Sequence, residues 1–169
     1  HGHWQSPSGS LHPFLAMEWI DGVPLYDWAR LFRPSAAQQL RLLAQLALTL
    51  QYLHAQGAFH RDLKGGNVLV RRSDSRVFLT DFGVVRRTDS QSKLTRTGFF
   101  VGTVDYAAPE MFRGGSIDGR ADEYSLACVA YECLTGAVPF PRDSDAAVLA
   151  AHLFDPPPSS RSSRQDLSA

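Results

Sequence analysis

From Ala36 to Gln56 the apolar residues Leu40, Leu43, Ala47, Leu50 and Leu53, with Leu46 beside them, recur at spacings of three and four. That period predicts a long amphipathic helix with one apolar stripe. Ser35 and Gln38 fit a capping box at its start, and Gly57 stands where a helix commonly stops. A second helix is expected over Glu123–Leu134, where the run YSLACVAYECL is apolar on most sides and predicts a buried helix rather than a surface one. Shorter helices are expected over Pro24–Phe32, with Leu25, Trp28 and Phe32 on one side, and over Asp145–Leu153. The strand-forming runs are Phe14–Ile20, followed by an Asp21-Gly22 turn signal, then Val68–Val70 and Val77–Thr80 joined by the polar RRSDSR as a hairpin loop. Residues 1–13 lack a period and read as loop. So do the polar segment 86–98, taken as a mobile surface loop, and the Pro/Ser-rich 156–169.

Composition narrows the class. With 169 residues and 44% apolar content the chain can build one folded domain with a substantial core. Lys plus Arg equals Asp plus Glu at 17 each, which supports neither a nucleic-acid partner nor contact with an anionic membrane. No apolar run is long enough to span a bilayer. The first residue is His, with no basic-then-apolar leader behind it, so the chain reads as a piece of something longer. His1 and His3 read as chance histidines of a terminal loop. Cys128 and Cys133 are five apart on a predicted helix, which sets their Cα atoms about 8 Å apart, beyond disulfide reach. They read as buried thiols in a reducing cytoplasm.

The chemistry concentrates in His60–Asn67, HRDLKGGN, which brings a carboxylate, an amine and an amide together in a loop between the long helix and a hairpin. Nineteen residues after Asp62 comes Asp81-Phe82-Gly83, directly after a predicted strand, and twenty-nine residues after Asp81 comes Glu110, ending Ala108-Pro109-Glu110. Each tripeptide alone is a weak signal. In this order, spacing and context the three together are strong.

On these motifs the chain resembles the protein kinase family, over nearly its whole length. Its wording (MEWIDG, DEYSLA) is nearest to bacterial eukaryotic-like Ser/Thr kinases. The resemblance implies an α+β, protein kinase-like fold: a mostly helical large lobe with short β-hairpins over residues 21–169, and the end of the small lobe with the hinge strand over residues 1–20. It implies phosphoryl transfer from ATP to protein hydroxyls with Mg²⁺, a reaction that asks for alignment and charge neutralisation. Asp62 would orient the substrate hydroxyl and accept its proton, and Lys64 would steady the γ-phosphate. Asn67 and Asp81 would supply hard oxygen ligands for the metal, and Gly83 a sharp backbone path after them. Thr103 would bond the catalytic Asp and Lys. The backbones of Glu18 and Ile20 would meet the adenine edge, with Met17 as gatekeeper and Leu69 beneath the ring. His60 and Phe82 would stack, and Asp122 would accept backbone N–H groups of the catalytic loop. Arg61, directly before Asp62, implies control by phosphate on the loop after Asp81. Thr95 and Thr97 are favoured there over Thr88, Ser90 and Ser92.

Three positions depart from the family pattern: Gly65 stands for the usual Pro, Glu123 for an apolar residue and Ala127 for Gly. Gly65 is expected to loosen the loop by roughly 0.5–1 kcal/mol. No Gly-rich loop and no strand Lys precede the hinge, and the family's Arg partner for Glu110 is not found after it. The isolated chain is therefore expected to be nearly inactive. The alternative reading is an inactive kinase fragment or pseudokinase serving as a binding module. The retained Asp62, Asn67 and Asp81 weigh against it. A small-molecule phosphotransferase is disfavoured by the A-P-E segment and Thr103. The partners implied are ATP and a protein substrate. Dimerisation and a membrane anchor remain open for the full-length protein.

Overall fold

The computed structural model describes residues 2–14, 16–81, 104–113 and 117–164. Strands β1 (Gly2–Gln5) and β2 (Leu11–Phe14) form an antiparallel hairpin in which Gly2 faces Phe14 and Gln5 faces Leu11. This corrects the loop expected over residues 1–13. The segment has no alternation to reveal a strand, and its pairing rests on a turn in which Gly9 N donates to Ser6 O at 2.8 Å. The strand expected over Phe14–Ile20 is also corrected: Phe14 closes β2, and residues 16–21 carry no regular structure.

The second sheet runs β3 (Gly22–Pro24), β4 (Val68–Arg71), β5 (Val77–Leu79), all antiparallel. Strand β3 lies where only a turn was expected. Gly22 makes it possible: a Cβ there would sit 2.9 Å from Val70 O, so any larger residue would push the two strands apart. Helix α1 (Leu25–Phe32) follows at once and buries Leu25 and Trp28.

Helix α2 (Ala36–Ala55) starts on the expected capping box, with Ser35 Oγ accepting from Gln38 N and Gln38 Oε1 accepting from Ser35 N. Its buried face is Gln39, Leu42, Leu43, Leu46 and Leu50. The expected stripe is therefore rotated, and Leu40 and Ala47 face outward. The helix carries leucines on more than one face, so period alone could not select the inner one. The anchor at its start is a buried amide: Gln39 Nε2 donates to Cys133 O at 2.6 Å.

Helix α3 (Gly119–Thr135) begins four residues before the expected start, capped by Asp118, whose carboxylate accepts Arg120 N at 2.9 Å. It buries Ala121, Asp122, Ser125, Cys128, Val129 and Cys133 and leaves Glu123 and Ala127 exposed. Within the expected span only these two are exposed, so the helix is largely enclosed, as its apolar run predicts, and both are departures from the family pattern. Gly136, with φ 83°, ends it in the left-handed conformation that glycine adopts without strain. Helix α4 (Asp145–Phe154) is capped by Ser144. The main core joins α1, α2, α3 and the second sheet through Leu25, Leu46, Leu63, Val68, Val70 and Val129. A smaller one, Ala107, Ala108, Met111 and Ala121, seats the A-P-E segment on α3. Burying Leu46 completely is worth about 1.5–3 kcal/mol.

Candidate active site

The loop from His60 to Asn67 leaves α2 and enters β4 through a 3-10 turn, Gly65–Asn67. A polar loop in that position needs partners for its backbone, and α3 supplies them. Asp122, in the first turn of α3 and fully buried, accepts His60 N on Oδ2 at 2.8 Å and Arg61 N on Oδ1 at 2.7 Å. His54 Nε2 lies 2.9 Å from Oδ2, so a helix α2 side chain closes the same carboxylate. A buried carboxylate is costly unless its oxygens are met, and here both are. The expectation for Asp122 matches this geometry.

His60 is itself buried and ties the two halves of the site together. Its Nδ1 accepts Asp62 N at 3.3 Å, so Nε2 carries the proton and donates to Thr80 O at 2.9 Å. Thr80 in turn donates from N and Oγ1 to Asn67 O, at 2.9 and 3.2 Å. The residue before Asp81 is therefore bound to the backbone of Asn67. Asn67 Nδ2 donates to Asp62 O at 2.8 Å and lies 3.5 Å from Asp62 Oδ2, and Lys64 Nζ stands 3.7 Å from that same oxygen. Asp62, Lys64 and Asn67 thus converge. Arg61 (φ 63°) and Asp81 (φ 53°) occupy the left-handed region that non-glycine residues avoid. Backbone strain of this kind collects at functional loops because neighbouring bonds hold it.

Gly65 is buried, and a Cβ would come within 3.3 Å of both Glu132 Oε2 and Tyr26 Cδ1. The site gives a larger residue little room at Gly65. Glu132 is the acceptor for Tyr106, whose hydroxyl donates at 2.7 Å. Burial raises the Glu132 carboxyl above its ordinary value, and the Tyr106 bond opposes that rise; burial also pushes the Tyr106 hydroxyl far up. Ser125 Oγ donates to Tyr106 O at 2.7 Å, fixing the segment that leads into Ala108-Pro109-Glu110. Tyr106, Glu132, Ser125 and His54 were not singled out from the sequence. The one available signal was Glu132, a lone carboxylate inside an apolar helical run. Both cysteines are free and buried, and burial pushes the thiol of Cys128 up to about 12 and that of Cys133 to about 11, which leaves them unreactive.

The proposed nucleotide side is less closely built. Met17, Glu18 and Trp19 are exposed and Ile20 is partly buried, all on the irregular segment before β3. Leu69 is half-buried on β4 opposite Pro24. Phe82, Gly83, Thr88, Ser90, Ser92, Thr95, Thr97 and Thr103 lie outside the described residues.

A protein kinase domain family model matches residues 4–163. Together with the loop and the APE segment on this fold, that match means the chain belongs to the protein kinase domain family. It is 45% identical over 146 residues to serine/threonine-protein kinase PknD of Mycobacterium tuberculosis, covering 86% of this chain and 22% of that protein. It is 44% identical over 150 residues to serine/threonine-protein kinase Pkn1 of Myxococcus xanthus, covering 86% of this chain and 21% of that protein. With PknB of Mycolicibacterium smegmatis the identity is 39% over 163 residues, covering 95% of this chain and 26% of that protein. The chain spans about a quarter of the length of these relatives. Among the described residues no helix is long and apolar enough to cross a membrane.

Proposed function

We propose that the chain carries the catalytic loop of an ATP-dependent protein serine/threonine kinase. The observation that carries this reading is the convergence of Asp62, Lys64 and Asn67 on a loop whose backbone is held by the buried Asp122 and His60. In this reading Asp62 binds a substrate hydroxyl, turns its lone pair toward the phosphate and takes its proton on the carboxylate. Lys64, beside Asp62, stabilises negative charge as it moves onto the transferred group.

Donor chemistry supports Mg²⁺ as the metal. Asn67 commits its Nδ2 to Asp62 O, which leaves the amide oxygen as its ligating atom, and Asp81 adds a carboxylate. Among the described residues no group of three or more His, Cys, Asp or Glu is placed to hold a metal. A hard cation that takes one carboxylate and completes its shell from phosphates and water suits this set. Bound MgATP would supply the phosphoryl group and neutralise charge on its oxygens. The names of the relatives support serine and threonine as acceptors. Arg61, with Thr95 and Thr97 as the phosphate-bearing residues, is proposed as the activation control, because a guanidinium beside a catalytic carboxylate is stabilised by an anionic partner.

The test separates two roles. In the full-length enzyme, Asp62→Asn is expected to lower kcat by roughly a hundredfold or more while nucleotide affinity stays nearly unchanged. Asp81→Asn is expected to weaken Mg-nucleotide binding as well. Titrating a fluorescent nucleotide analogue beside steady-state kinetics reads both. Equal loss of nucleotide affinity in the two variants would contradict the assignment.

A further inference from the structure

The end of α1, the start of α2 and the β4–β5 turn enclose a groove of about 360 Å³. Its floor is apolar: Val23, Trp28 and Val70, all buried. Phe32 forms one wall at 54% exposure, its ring 6.4 Å from that of Trp28. Three arginines, Arg33, Arg71 and Arg72, line the rim, and no carboxylate lines the groove among the described residues.

The three arginines are not equally committed. Arg71 is bound to Asp74 by two hydrogen bonds of 2.9 and 2.7 Å and lies over the Phe78 ring. Arg72 reaches only a loose contact, 3.5 Å from Asp21, a carboxylate that is 80% exposed. Arg33 is exposed and makes no ion pair among the described residues. On a chain of zero net charge, this leaves two guanidinium groups facing one apolar slot without buried counter-charges.

From this we infer a docking site for an acidic peptide segment of a partner protein, with one bulky apolar side chain as its anchor. The volume suits one or two side chains rather than a folded surface. The floor excludes water around an aromatic or aliphatic anchor, as in other peptide grooves. Flanking carboxylates complete Arg33 and Arg72, displacing the loose Asp21 contact, and exclude basic segments by repulsion. The site shares no lining residue with the catalytic loop, so docking there leaves Asp62 open.

Fluorescence anisotropy with a labelled peptide, a central Leu-Phe pair flanked by glutamates, tests the site on the full chain. The acidic peptide is expected to bind, and a lysine-flanked version at least about tenfold more weakly. Arg33→Glu combined with Arg72→Glu is expected to weaken the acidic peptide by about tenfold or more, and Phe32→Ala by about threefold. Arg120→Glu, an exposed arginine at the start of α3, should change nothing. If the double variant melts early, the wild-type chain carries the test, since affinity must fall between about 0.05 and 0.3 M salt. Equal binding of both peptides, no binding of either, or wild-type affinity in a folded double variant overturns the site.

Discussion

The His60–Asn67 loop and the segment of residues 16–21 are held by the domain in opposite ways. In the loop, His60 N, Arg61 N and Asp62 N each have a named acceptor, and the side chains of His60, Leu63 and Asn67 are buried. In residues 16–21, Met17 is 69% and Trp19 89% exposed, on a stretch with no regular structure. The difference shows where order comes from. The loop is irregular in backbone shape yet held by buried polar groups from α2 and α3. Residues 16–20 are mostly apolar, yet Met17 and Trp19 stay exposed among the described residues. A polar loop with buried partners is tied to its neighbours, whereas apolar side chains left exposed tie a segment to nothing.

The comparison is broken most directly at Asp122. Asp122→Ala removes the acceptor of two buried N–H groups and of His54, and leaving such donors unmet costs about 1–3 kcal/mol apiece. A loss of roughly 3 kcal/mol or more in chemical denaturation is expected, with hydrogen exchange at His60 and Arg61 rising out of proportion to the rest of the chain. Uniform exchange would mean the loop does not depend on this carboxylate.

A smaller effect is expected from pH, through a second buried histidine that ties α4 to α3. His152 lies 2.7 Å from Tyr124 OH by its Nδ1 and edge-on to Phe140, ring centroids 4.9 Å apart. Burial lowers its pKa from the usual 6.5, outweighing the opposing influence of Asp105. A depressed folded value means the unfolded chain binds the proton more readily. The contribution to stability is therefore full above about pH 6.5 and is lost as pH falls through the lowered folded value. Thermal melts over that window should fall with acidification in the wild type and less steeply in His152→Gln. Parallel curves would exclude His152 as the source.

The smallest change is expected in residues 16–21. Trp19→Ser removes a large aromatic side chain, yet at 89% exposure it should alter stability by no more than about 0.5 kcal/mol. A Tm drop of several degrees would show that Trp19 is covered in solution and that the contrast with the loop is overstated.

Much of the domain was legible beforehand, and the misses share a cause. The bounds of α2, its capping box, the end of α1, the β4–β5 hairpin and the free cysteines follow from local rules: period, caps and spacing. The inner face of α2 was misplaced because Leu40 and Leu43 look alike to a periodicity argument, and only the neighbours α3 and β5 distinguish them. Strand β3 and the terminal hairpin were missed because three or four residues of Gly, His and Pro become strand only when a partner supplies the hydrogen bonds. The start of α3 was placed late because its first turn is polar, and that turn holds Asp122.

For the candidate site, the identities and order of Asp62, Lys64, Asn67 and Asp81 lay in the linear sequence, because each chemical role demands one side-chain type at a fixed separation. The supports of the site did not. Asp122 lies 68 residues from His54 and 62 from His60, and the Tyr106–Glu132 and His60–Thr80 bonds span 26 and 20. Local chain chemistry determines which groups are present and which helices form. Long-range burial alone decides which polar groups face each other away from water, and that determines which oxygen accepts which proton.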